Sequence, residues 1–173
     1  MLEKTKVFKA TLYYKESKVL CRFDFFDWCK HMETVMLTAR TDAVVMMLGT
    51  NDLKGIYGQS ASEIACGAGA LIDLARGTLA GPDGTPPRVL LVSPVPVVLT
   101  PHSEMWGFGH GIEEGKRLAG MYELMAAGKG VGFFDAGSVA QVSPLDGVHL
   151  DEAGHAALGA AMAEAARGEL ARG

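Results

Sequence analysis

Val44-Val45-Met46-Met47-Leu48-Gly49-Thr50-Asn51-Asp52 is an apolar run that stops abruptly at four small or polar residues. Five apolar residues in a row, bounded by turn formers, predict a strand buried on both faces. The polar group then falls at the strand's carboxyl end, which in open α/β sheets faces the ligand crevice. Taken by themselves Gly49, Asn51 and Asp52 would serve equally well as an ordinary turn. A second stretch near the other end, Asp146-Gly147-Val148-His149-Leu150, turns the reading toward chemistry.

Outward from that strand the pattern alternates. Ala61, Ile64, Ala65, Ala68, Leu71, Ile72, Ala75 and Leu79 recur at threes and fours, which predicts a helix. Ser60 with Glu63 three residues on supplies a capping box at its start. The turn-rich connector 81–87 leads to a short buried strand from Arg88 to Val92, ending at Ser93-Pro94. Pro94, Pro96 and Pro101 predict a stiff, non-helical loop running through Trp106 to Gly111, long enough to signal a functional surface. A second helix is expected over Ile112 to Ala127, closed by Gly128, then a strand over Val131 to Phe134, and an Ala-rich helix from about Asp151 to Arg167. Strand and helix in this order predict right-handed crossovers and a parallel sheet covered by helices on both faces.

Before Asp42 the pattern is weaker. Ser17 to Phe26 is enriched in strand formers, and Asp27 to Arg40 reads as a short helix. At 173 residues one domain is expected, and with 49% hydrophobic and 21% charged residues global disorder is excluded. A net charge of -4, with both signs mixed along the chain, leaves no footprint for nucleic acid or an anionic membrane. Cys21, Cys29 and Cys66 form an odd set without metal-type spacing, and the start has no apolar h-region. A soluble cytoplasmic protein without metal or cofactor is the resulting expectation.

Asp146 and His149 stand three apart in a loop entering a helix, close enough for the carboxylate to hold one imidazole nitrogen. The other nitrogen is then left as a general base toward a hydroxyl nucleophile. Asn51, at a strand's carboxyl end, is placed to aim its amide N–H at a developing oxyanion, helped by backbone N–H groups about Gly49. Trp106 with His102 and His110, in the long loop, read either as substrate-pocket lining or as plain surface residues. His155 reads as a solvated helix residue, and the nine methionines as core.

Gly49-Thr50-Asn51-Asp52, followed much later by Asp146-Gly147-Val148-His149-Leu150, resembles the third and fifth sequence blocks of the SGNH (GDSL-like) hydrolases. Phe133-Phe134-Asp135-Ala136-Gly137-Ser138 further resembles the small bacterial arylesterase branch. The resemblance covers roughly Asp42 to Arg167. It implies an α/β fold, a flavodoxin-like three-layer α/β/α sandwich with an atypical or truncated amino-terminal part, and hydrolysis of small acyl, aryl or acetylated esters by a Ser-His-Asp triad. His149 would be base and acid, Asp146 its orienting partner and Asn51 an oxyanion donor. The family's Gly-Asp-Ser nucleophile block is missing. An ungapped overlay puts Asp24 on the block's Asp and Trp28 on a Trp of the arylesterase branch, but Phe25 on the serine and Phe23 on the glycine. A phenyl ring cannot attack a carbonyl. The family's second block has no counterpart in the interval from Lys30 to Thr41, as if the amino-terminal portion were truncated or rewritten by a shifted frame. Ser17, Ser93 and Ser138 stand in no strand-to-helix turn of the needed kind, so the nucleophile is unassigned. A non-catalytic ligand-binding relic of the fold, or a homo-oligomeric interaction subunit whose missing strand leaves an apolar edge, are the alternative expectations.

Overall fold

A computed structural model describes residues 41–172. The strand expected at Ser17 to Phe26, the helix at Asp27 to Arg40 and the overlay involving Phe23, Asp24, Phe25 and Trp28 lie outside the described residues.

Among the described residues three strands, β1 (Ala43–Met47), β2 (Arg88–Ser93) and β3 (Gly132–Asp135), form a parallel sheet in the order β1-β2-β3. Val45 is in register with Leu90, and Leu91 with Phe133. Within the described residues four α-helices accompany them: α1 (Ala61–Gly77), α2 (Pro101–Met105), α3 (Ile112–Lys129) and α4 (Glu152–Ala171). Since strand side chains alternate between faces, β2 feeds two cores at once. Val89 and Leu91 pack with Ile72, Ala75, Leu118 and Tyr122 of α1 and α3, whereas Leu90 and Val92 pack with Leu158 and Ala136 on the side of α4. The result is the expected three-layer sandwich, with β2 buried along nearly its whole length.

The helix starts follow local chemistry. Ser60 accepts from the Glu63 N–H while the Glu63 carboxylate accepts from the Ser60 N–H, so α1 begins where the capping box places it. Asp151 caps α4 through the Gly154 N–H. The end of α3 differs from expectation: the helix runs on to Lys129, and Gly130, at φ +63, is the left-handed cap in place of Gly128.

Two further expectations need correction. The loop after β2 is not entirely non-helical. Pro101 occupies the first position of α2, where a missing N–H costs nothing, and Thr100 caps the helix by accepting from the Ser103 N–H. The prolines read as breakers thus include one that starts a helix. Second, β1 is not buried on both faces. Met46 is in the core and Val44 packs against it, but Val45 and Met47 on the opposite face are 41% and 40% exposed.

Candidate active site

Parallel strands send both motif-bearing loops off the same edge of the sheet, because each follows the carboxyl end of its strand: Gly49 to Asp52 after β1, and Asp146 to His149 beyond β3.

The second loop is built around the Asp146 carboxylate. Its Oδ1 accepts from the backbone N–H of Val148 at 2.8 Å and of His149 at 2.9 Å, and its Oδ2 lies 2.8 Å from His149 Nδ1. Partial burial pushes this carboxyl up, but the two backbone donors and then the imidazole outweigh it and bring the pKa down to about 2. An ionised carboxylate at Nδ1 requires the N–H there, which leaves the Nε2 lone pair free as a base. The His149 side chain is 70% exposed. Among the described residues no hydroxyl hydrogen-bonds to Nε2.

The first loop is fixed from beneath. Leu48 ends the apolar run, and its carbonyl accepts a 3.0 Å hydrogen bond from the hydroxyl of Tyr122, fully buried on α3. Gly49 follows at φ +110, and a Cβ there would stand 2.6 Å from the Tyr122 Oη, so only glycine fits beneath the tyrosine. Asn51 to Leu53 then form a short 3-10 turn whose Lys54 N–H donates to the Asn51 carbonyl. Asn51 itself is exposed, and among the described residues its side chain hydrogen-bonds to neither Asp146 nor His149. Burial raises the Asp52 carboxyl against the smaller pull of its own N–H; burial, then the charge of Asp52, raises the Tyr122 phenol.

The long loop meets the histidine. Trp106, at the end of α2, stands edge-on to His149 with ring centroids 5.8 Å apart, and the His102 ring lies 5.9 Å from the indole. His102, Trp106 and His149 therefore make one aromatic cluster. Two of the serines weighed as nucleophiles, Ser93 and Ser138, are otherwise engaged. Ser93 is fully buried and donates to Asp135 Oδ1 at 2.9 Å, while Ser138 donates to the Asp135 carbonyl at 2.6 Å. Ser17 lies outside the described residues. Two clefts among the described residues lie apart from His149: about 430 Å³ between α1 and α3, around Cys66 and Met125, and about 260 Å³ beside Lys54 and His110.

Two supports went unread in the sequence. Thr100 Oγ1 donates to the Asp146 carbonyl at 2.8 Å, and the Tyr122 hydroxyl anchors the Leu48 carbonyl. Thr100-Pro101-x-Ser103 is a helix-start signal that could have revealed the first. The second had only the faint signal of a hydroxyl on the apolar face of a helix.

A family model described as "Protein of unknown function (DUF459)" matches residues 1–68. No curated protein matches the chain. Among solved structures, the native aryl esterase of M. smegmatis is 34% identical with a TM-score of 0.75, the match covering 82% of this chain and 67% of that one. Its inhibitor-bound form is 35% identical with a TM-score of 0.74 over the same shares. A carbohydrate acetylesterase family member from Sinorhizobium meliloti is 37% identical with a TM-score of 0.74, covering 82% of this chain and 68% of that one. Identity of this order over so much of both chains, on a sheet whose loops carry the Gly-Thr-Asn-Asp and Asp-x-x-His groups, makes the chain a member of the SGNH hydrolases, in their aryl esterase and carbohydrate acetylesterase branch of carboxylic ester hydrolases.

Proposed function

We propose that this chain hydrolyses small acyl, aryl or acetylated esters through His149 as general base, Asp146 as the group that orients it, and Asn51 as an oxyanion donor. One observation carries the reading: the Asp146 Oδ2 to His149 Nδ1 contact of 2.8 Å, held by a carboxylate whose other oxygen is saturated by two backbone N–H groups. With Nδ1–H fixed, Nε2 takes the proton of an attacking hydroxyl and returns it to the leaving alkoxide. Asn51 and the backbone N–H groups around Gly49 meet the carbonyl oxygen as its charge develops. The solved relatives named for aryl ester and carbohydrate acetyl ester hydrolysis support this substrate range.

A second reading has its own observation in favour. Phe25 stands where the family overlay puts the serine, and Ser93 and Ser138 already donate elsewhere. On that reading the chain binds an ester-like ligand, or a second copy of itself, without turnover. Hydrolysis of p-nitrophenyl acetate beside a His149→Ala control separates the two. Turnover lost in the control supports the hydrolase; none in the parent chain supports the binding module. Labelling with an organophosphonate, followed by peptide mass mapping, identifies the nucleophile.

A further inference from the structure

Beyond its internal hydrogen bonds and the core packing of Val148 and Leu150, the acid–base loop is held by one segment outside it. The N–H of Val98 donates to the Gly147 carbonyl at 2.9 Å, Thr100 Oγ1 to the Asp146 carbonyl at 2.8 Å, and His102 Nδ1 lies 3.0 Å from the Leu145 carbonyl. A carbonyl partner makes His102 Nδ1 the donor. Three consecutive carbonyls of the loop are thus held by alternate residues of one short stretch. The approach is close enough that a Cβ on Gly147, at φ +75, would stand 2.4 Å from the Val98 carbonyl oxygen. The stretch itself is stiff: Ser103 is fully buried, its hydroxyl donates to the Val98 carbonyl at 2.8 Å, and it accepts from the Thr100 N–H at 2.8 Å.

At the far end of this clamp stands Trp106, interplanar angle 72° to the His149 ring. His149 has its only ring hydrogen bond among the described residues at Nδ1, and its side chain is 70% exposed. One hydrogen bond leaves an imidazole free to rock about the Nδ1 to Oδ2 line, swinging Nε2 across the rim. An indole edge-on to the ring restricts that rocking, and His102 packs on the indole in turn. We infer that Trp106, carried by the clamp of residues 98–106, is a positioning residue that fixes the plane of the His149 imidazole and hence the direction of Nε2. This rests on the proposed role of His149 for its catalytic consequence, but not for its structural one.

The test uses the full chain, labelled with ¹⁵N, with imidazole nitrogen and carbon-proton signals of the five histidines assigned by His149→Ala. In the parent chain His149 gives a single Nδ1–H tautomer and narrow, ordered ring signals. Trp106→Ala shifts those signals toward a mixed tautomer and raises the mobility of the ring, while Trp106→Phe keeps the parent pattern. Met105→Ala, an exposed neighbour one residue earlier, is the control for loss of local apolar surface. Where the parent turns over ester, kcat falls roughly tenfold in Trp106→Ala with KM changed less than about twofold, the size of one aromatic contact felt by the transition state. Trp106→Phe recovers most of it. Unchanged His149 signals in a folded Trp106→Ala protein overturn the inference, as does a Trp106→Phe variant no better than Ala. Absence of hydrolysis in the parent chain counts against the proposed function alone, because the ring's tautomer and mobility are read without turnover.

Discussion

Gly49→Ala should destabilise the fold through backbone strain and one close contact, and removing that contact should return about half of the loss. The position has φ +110 and sits beneath Tyr122, whose hydroxyl donates to the Leu48 carbonyl at 3.0 Å. An alanine first bears the backbone strain of a positive φ, on the order of 1–3 kcal/mol. Its Cβ then meets the Tyr122 Oη at 2.6 Å, with Ile64 Cγ2 and Leu118 Cδ2 both at 3.2 Å, so the phenol must shift and release the carbonyl. A buried hydroxyl and a buried carbonyl left without partners cost roughly 1–3 kcal/mol. Together these give roughly 2–6 kcal/mol, a large share of the about 5–15 kcal/mol typical of a whole domain. In a Tyr122→Phe background the obstructing oxygen is gone, and Gly49→Ala should cost only the roughly 1–3 kcal/mol of strain. Urea denaturation of the parent, both single variants and the double variant gives the coupling directly, expected at about 1–3 kcal/mol. Equal costs of Gly49→Ala with and without the phenolic oxygen would refute the placement of Tyr122 over the turn.

Asp146→Asn probes the acid–base loop through pH. A carboxyl depressed from its ordinary value of 3.8 to about 2 adds stability that is fully present above pH about 5 and is lost as pH falls through about 4 toward 2. The stability gap between parent and Asp146→Asn should therefore be constant from pH 7 to 5 and narrow between pH 4 and 2 in denaturation series; a gap that stays level to pH 2.5 contradicts the assignment. Asn51→Ala should lower kcat for p-nitrophenyl acetate by roughly 10²–10³ with little change in KM, as loss of one oxyanion donor does. Kinetics indistinguishable from the parent would remove Asn51 from that role.

What the sequence could and could not disclose follows from where each signal resides. β2 was plain because burial on both faces leaves an unbroken apolar run, and α1 because its stripe and capping box agree. The coverage of β1 was misread for a physical reason: Val44 to Leu48 are all apolar, so the alternation that would have marked Val45 and Met47 as facing outward is absent from the letters and appears only in the packing. Pro101 shows the converse difficulty, since the same ring that breaks a helix interior is welcome at its first position, and only Thr100 and Ser103 decide which applies. The Asp146 to His149 pair was legible since its partners are three apart and local geometry suffices. The supports of that pair were not, because Thr100 reaches Asp146 across 46 residues and Trp106 reaches His149 across a comparable gap. No local pattern encodes such contacts; they arise when loops leaving one edge of a parallel sheet are drawn together by strand order. In this chain the residues named by the motifs would do the chemistry, while the residues that aim them come from a loop whose sequence announced stiffness and a functional surface, with Trp106 and His102 read as pocket lining or plain surface and not as supports of His149. The stiffness belongs to the same arrangement, because a clamp built on Pro101 and Ser103 can hold three carbonyls in place only if it does not itself bend.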